Sequence, residues 1–86
     1  MAKVLITGGG GYIGQVCART FHGEGWQVHV LDRRSSGECE GMDALLDIGC
    51  AFHHADILDE AAVEEAMTNC DAVLHLAAVS SVPDSI

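Results

Sequence analysis

The chain has 86 residues, enough for at most one small domain that buries about 60–65% of its unfolded surface. Hydrophobic residues make up 49% and mean hydropathy is +0.24, which points to strands buried on both faces; no apolar run approaches the roughly 18 residues of a bilayer span. Net charge is −9, with all four basic residues (Lys3, Arg19, Arg33, Arg34) in the first 34 positions and 11 of the 13 acids from Glu38 onward, which argues against a nucleic-acid surface.

Lys3 to Thr7 is a short apolar, β-branched run that reads as a central parallel strand. It enters Gly8-Gly9-Gly10-Gly11, a turn stripped of every Cβ, and then a helix beginning at Tyr12. A strand, a glycine turn and a helix start in this order cradle a dinucleotide pyrophosphate, because the backbone approaches the phosphate closely and the first amides of the helix face it. Gly9, Gly11 and Gly14 give G-x-G-x-x-G, while Gly8, Gly11 and Gly14 give G-x-x-G-x-x-G, and the spacing alone leaves both registers open. A nucleoside-triphosphatase loop is excluded, since Gly9 to Gly14 continues with Gln15 and Val16 in place of Lys and Ser/Thr.

From Tyr12 to about His22, Ile13, Val16, Cys17, Thr20 and Phe21 fall at helical spacing and predict one buried stripe, which Gly23 and Gly25 bring to an end. Trp26 to Leu31 reads as a second strand closing at Asp32, and Ser35 to Gly41 as a loop. Met42 to Ile48 is expected to form a short helix and Ala51 to Ala55 a third strand. Asp59 is placed as N-cap of a helix running to about Asn69, followed by a fourth strand over Ala72 to Ala77 and a loop at Val82-Pro83. Strands alternating with helices predict an α/β fold with a parallel sheet in the order 3-2-1-4 and the glycine turn at its carboxyl edge.

Asp32 stands 18 residues after Gly14, close to the offset at which an acid binds the hydroxyls of an adenine ribose. A carboxylate there accepts from the 2′-OH and repels a 2′-phosphate, whereas Arg33 and Arg34 would pair with that phosphate. The acid occupies the strand end itself, so NAD is expected over NADP. Cys17, Cys39, Cys50 and Cys70 lack a C-x-x-C pair and read as free thiols, and the five histidines lack helical ligand spacing, so no metal is assigned. The amino terminus carries a single lysine before the turn, unlike a secretory signal, and a cytoplasmic location without membrane attachment is expected.

These residues resemble the extended short-chain dehydrogenase/reductases, specifically the NAD-dependent sugar-nucleotide epimerases and dehydratases. Thr7-Gly8-Gly9-Gly10-Gly11-Tyr12-Ile13-Gly14 is similar to that family's T-G-x-x-G-x-x-G, which favours the Gly8, Gly11, Gly14 register. Asp32 with Arg33-Arg34-Ser35-Ser36 resembles the strand-2 acid and its adenosine loop, and Asp56-Ile57 the pair that brackets adenine. Asp71 to Ala78 resembles the strand-4 segment whose end, here Leu76, Ala77 and Ala78, passes the pyrophosphate and nicotinamide ribose.

The resemblance implies a partial Rossmann fold, with residues 1–86 as an N-terminal NAD-binding half-domain. It further implies a UDP- or dTDP-sugar substrate transiently oxidised by NAD, and frequent homodimers among full-length members. The family's catalytic Tyr-x-x-x-Lys is not among these residues: the lone tyrosine is Tyr12, followed four later by Val16, so no catalytic residue is assigned and the 86 residues alone are expected to be inactive. Ser80 and Ser81 are placed in the loop after strand 4. Ser80 stands where UDP-galactose 4-epimerases tend to have lysine, which points away from that particular activity. Two further readings are a standalone nucleotide-binding or redox-sensing module, and a reductase of the same superfamily acting on a non-sugar substrate.

Overall fold

The computed structural model describes residues 2–76. Four strands, β1 (Lys3–Thr7), β2 (Gln27–Asp32), β3 (Ala51–His54) and β4 (Ala72–His75), form one parallel sheet in the order β3-β2-β1-β4. The links are α1 (Tyr12–Gly23), α2 (Met42–Asp47) and α3 (Glu60–Met67), with a 3-10 turn at Ser36–Glu38 inside the expected loop. Thr7 pairs with Leu31 and His75, and Asp32 with His54, so the carboxyl ends of all four strands meet along one edge.

Alternation along the strands divides the core between the two faces of the sheet. Val4, Ile6, Val28 and Val30 pack with Ala18 of α1 and with Met42 and Leu45 of α2, while Leu5 and Leu31 pack with Ala66 of α3. The central strands are therefore covered on both faces, as the unbroken apolar run Val4-Leu5-Ile6 of β1 requires. Met42 and Leu45 are fully buried, so tertiary packing holds a six-residue helix that local propensity would not sustain.

The buried side of α1 is not the expected stripe. Ile13 is 64% exposed and Val16 43%, and Thr20 is also exposed, whereas Gly14, Gln15 and Ala18 are buried and Cys17 and Phe21 pack at the margin. Close approach decides this: a Cβ on Gly14 would lie 2.4 Å from the Gly9 Cα. The helix is thus rotated so that its smallest residues, four apart, meet the turn and the sheet. Gly23 also lies within α1; the chain turns back at Gly25, at φ +91°, where Trp26 N–H donates to the Phe21 carbonyl at 3.1 Å and the two rings meet edge to face.

Other boundaries shift by one or two residues. β2 starts at Gln27 and includes Asp32. Two adjacent histidines do not prevent β3, because His53 stacks on His29 of β2 and His54 Nε2 donates to the Arg33 carbonyl at 3.0 Å. Asp59 caps α3 by accepting from Ala62 N–H at 3.2 Å, and α3 ends at Met67 ahead of Asn69 in the left-handed region. β4 ends at His75. The expected continuation to Ala77, together with Ala78, Ser80, Ser81 and the Val82-Pro83 loop, lies outside the described residues. All four cysteines are free, Cys39 and Cys50 being buried, and among the described residues no helix is long and apolar enough to cross a membrane.

Candidate functional site

The site is built where β1 stops. Gly8 takes φ +72° and its N–H donates to the Leu31 carbonyl at 2.7 Å, which turns the chain across the end of β2. Gly9 packs on β2, where any Cβ would lie 2.6 Å from Val30 Cγ1. Gly10 N–H then donates to Asp32 Oδ2 at 3.0 Å, so the acid at the end of β2 holds the turn from behind. The helix begins at Gly11, an N-cap with no side chain to offer its first amides, and no acid follows in the first turn. The N–H groups of Tyr12, Ile13 and Gly14 therefore have no partner from within the helix, and its dipole is uncompensated.

The start of this turn, at Gly11 and Tyr12, borders an open groove of about 470 Å³ lined by Gly10, Gly11, Tyr12, Gln15, Arg34, Glu38 and Glu40. A Cβ on Gly11 would meet nothing closer than the Gly8 carbonyl at 3.7 Å and Arg34 Nη2 at 3.9 Å. Nothing in the protein itself requires a glycine there, whereas an anion resting on the backbone would.

Asp32 is 5% exposed and is the most heavily engaged polar group of the site. Its Oδ1 accepts from Arg34 N–H at 2.9 Å and Arg34 Nε at 3.1 Å, and its Oδ2 from Gly10 N–H and, at 3.1 Å, Arg34 Nη2. Burial pushes the Asp32 carboxyl up, but the Arg34 hydrogen bonds and charge, with the Gly10 amide, outweigh it and hold the group below the ordinary carboxylate range. Cys39 lies behind Gly10, its thiol pushed up by burial and then by the charge of Asp32, and is therefore an uncharged packing group.

Of the other expected residues, the structure brings some to this edge and not to the groove. Ser35 donates from both N–H and Oγ to Glu38 Oε1, at 2.9 and 3.0 Å, which fixes the loop beyond Arg34. Ser36 begins the 3-10 turn, and Arg33 points to solvent. Asp56 and Ile57 follow β3, next to the end of β2, where Ala55 N–H donates to the Asp32 carbonyl at 3.0 Å; Asp56 Oδ1 accepts from Leu58 N–H at 2.9 Å. Leu76 N–H donates to the Thr7 carbonyl at 3.0 Å, which brings the end of β4 beside the glycine turn.

Gln15 is the residue that sequence reasoning missed. Its Nε2 donates to the Gly10 carbonyl at 3.1 Å and the Glu40 carbonyl at 2.6 Å, tying the turn to the loop before α2. The single signal was a polar residue one place after Gly14, on the side of α1 that close approach turns inward. Gln15→Ala would leave two backbone acceptors short of a donor and is expected to cost about 2 kcal/mol of stability, measured by urea denaturation.

Fold and site together define a class, the nucleotide-binding α/β proteins of Rossmann type. The chain belongs to the NAD dependent epimerase/dehydratase family, whose model matches residues 4–86. It is 38% identical to the UDP-glucose 4-epimerase of Lactobacillus helveticus, over 98% of this chain and 25% of that protein. It is 33% identical to the UDP-glucose 4-epimerase of Bacillus subtilis, over 96% of this chain and 26% of that one. Among solved structures it matches UDP-glucose-4-epimerase from Stenotrophomonas maltophila with bound NAD and formylated UDP-arabinopyranose, with a TM-score of 0.71 and 30% identity over 87% of this chain and 24% of that one. The chain thus spans about a quarter of the length of its relatives.

Proposed function

We propose that this chain binds NAD as the adenosine-binding part of a sugar-nucleotide epimerase or dehydratase. The observation that carries the reading is the uncapped first turn of α1, which opens on a glycine-floored groove with the buried Asp32 carboxylate behind it. Tyr12, Ile13 and Gly14 offer the pyrophosphate their free backbone amides, Gly8 and Gly11 shape the turn so that it can approach them, and Asp32 takes the adenine-ribose hydroxyls. Arg33, Ser35 and Ser36 form the loop beside that ribose, and Asp56 and Ile57 flank adenine. Leu76 runs beside the pyrophosphate; the family resemblance gives Ala77 and Ala78, outside the described residues, to the nicotinamide ribose.

When bound, NAD supplies a hydride acceptor for transient oxidation of a sugar hydroxyl. What these 86 residues contribute is orientation: the turn fixes the phosphates against the edge of the sheet, and β1 and β4 carry the dinucleotide across it. A UDP- or dTDP-sugar substrate and a homodimer belong to the full-length reading. Calorimetric titration of the chain with NAD and NADP tests the proposal. Saturable binding of NAD, tighter than NADP, is expected; tighter NADP would overturn the cofactor preference, and no saturable binding of either would overturn the function.

A further inference from the structure

A carboxylate offers about four lone-pair positions to hydrogen-bond donors. In Asp32 all four are taken, by Gly10 N–H, Arg34 N–H, Arg34 Nε and Arg34 Nη2, at 2.9 to 3.1 Å. The two ribose hydroxyls of an adenosine therefore find no free acceptor on this acid. Two of the four donors are backbone groups fixed by the glycine turn and by the Ser35–Glu38 lock. The other two belong to one side chain that is 47% exposed.

We infer that Arg34 is a specificity-determining residue that competes with the adenine ribose for Asp32: NAD binds with the guanidinium displaced, and a 2′-phosphate is met by the guanidinium in place. This rests on the dinucleotide reading above and deepens it. In the ion-paired arrangement Asp32 is neutralised, so the repulsion by which a strand-end acid excludes a 2′-phosphate is reduced. With Nε and Nη2 each giving one hydrogen to Asp32, the guanidinium keeps its outer edge, Nη1 and the second Nη2 hydrogen, for a phosphate. In the displaced arrangement the outer lone pair of each Asp32 oxygen is vacated, one for each ribose hydroxyl. The backbone N–H of Arg34 keeps its hold on Oδ1, so only the side chain moves. Glu38 and Glu40 line the same groove and give a displaced guanidinium carboxylates to face.

The cost of displacement is limited because Arg34, 47% exposed, returns its guanidinium to water while the ribose hydroxyls replace its hydrogen bonds on the buried Asp32. NAD is therefore preferred in the unsubstituted chain, by less than a free carboxylate would give.

The test compares the unsubstituted chain with Arg34→Met and Arg34→Lys by calorimetric titration of NAD and NADP. Arg34→Met is expected to tighten NAD about threefold and weaken NADP about tenfold. Arg34→Lys keeps the charge but cannot fill two acceptor positions with a planar fork; it is expected to tighten NAD as methionine does while holding NADP within about twofold of the unsubstituted chain. An NAD-to-NADP ratio unchanged within about twofold in Arg34→Met, or NAD affinity unchanged in Arg34→Lys, would overturn the inference. A readout without dinucleotide accompanies these: the Asp32 carboxyl carbon, followed by NMR against pH, should titrate higher in Arg34→Met, and an unmoved titration overturns the contact on which the inference stands. If the unsubstituted chain binds neither dinucleotide, the proposed function falls and this inference with it. If it binds NAD and the ratio does not move, only this inference falls.

Discussion

Replacing Gly14 by alanine is expected to destabilise the fold by about 3 kcal/mol, lowering Tm by roughly 12–24 °C in a domain of this size. The added Cβ would stand 2.4 Å from Gly9 Cα, 2.8 Å from Gly9 C and 2.9 Å from the Gly8 carbonyl oxygen. All three are backbone atoms, so no rotamer change relieves the clash. Gly9 cannot retreat, since it already packs against Val30, and Gly8 is bonded to β2. The remaining response is for α1 to move off the sheet, which uncovers Ala18 and the Val4, Ile6 and Val28 side chains of the same cluster. Thermal unfolding followed by circular dichroism measures the effect. A fall of under about 4 °C would show that the helix gives way easily and that the rotation of α1 has another cause.

Gly11→Ala is expected to do the reverse, sparing the fold and abolishing the ligand. Gly11 has φ −78° and ψ 173°, an extended conformation open to any residue, and its Cβ would make ordinary contacts only. Stability should stay within about 1 kcal/mol, the difference between glycine and alanine at an N-cap. NAD affinity should fall at least about thirtyfold, close to 2 kcal/mol, because the methyl group stands where phosphate oxygens would approach the amides of the first turn. The pair of variants separates the two uses of one motif. Undiminished NAD affinity in Gly11→Ala, by titration calorimetry, would remove the pyrophosphate from this turn.

The order of elements was legible because each was signalled locally: β-branched runs for strands, Asp59 for the start of α3, and glycine for the turns. The strand order followed from alternating strands and helices under right-handed crossover. What was not legible was the facing of α1. Periodicity placed Ile13 and Val16 inward, and it knows only which residues prefer burial, whereas the contact between Gly14 and Gly9 depends on how closely two backbones meet. The same limit concealed Gln15, whose partners are main-chain carbonyls that carry no side-chain signature. Asp32 could be placed from its spacing after Gly14. Its engagement by Arg34 could not, because two arginines and a serine-rich loop specify neither which guanidinium turns back nor that it closes on both oxygens.

The hydrogen bond from Gly10 N–H to Asp32 reaches beyond ligand choice. One carboxylate anchors the turn and, in the function proposed above, also selects the ribose, which would tie the two properties together under mutation. A lineage that traded this acid for a neutral residue to favour phosphorylated dinucleotides would also release Gly10, and would have to re-anchor the turn through another group. Changes at position 34 carry no such penalty. A shift in cofactor preference in this scaffold therefore has an easy route through the exposed arginine and a steep one through the acid.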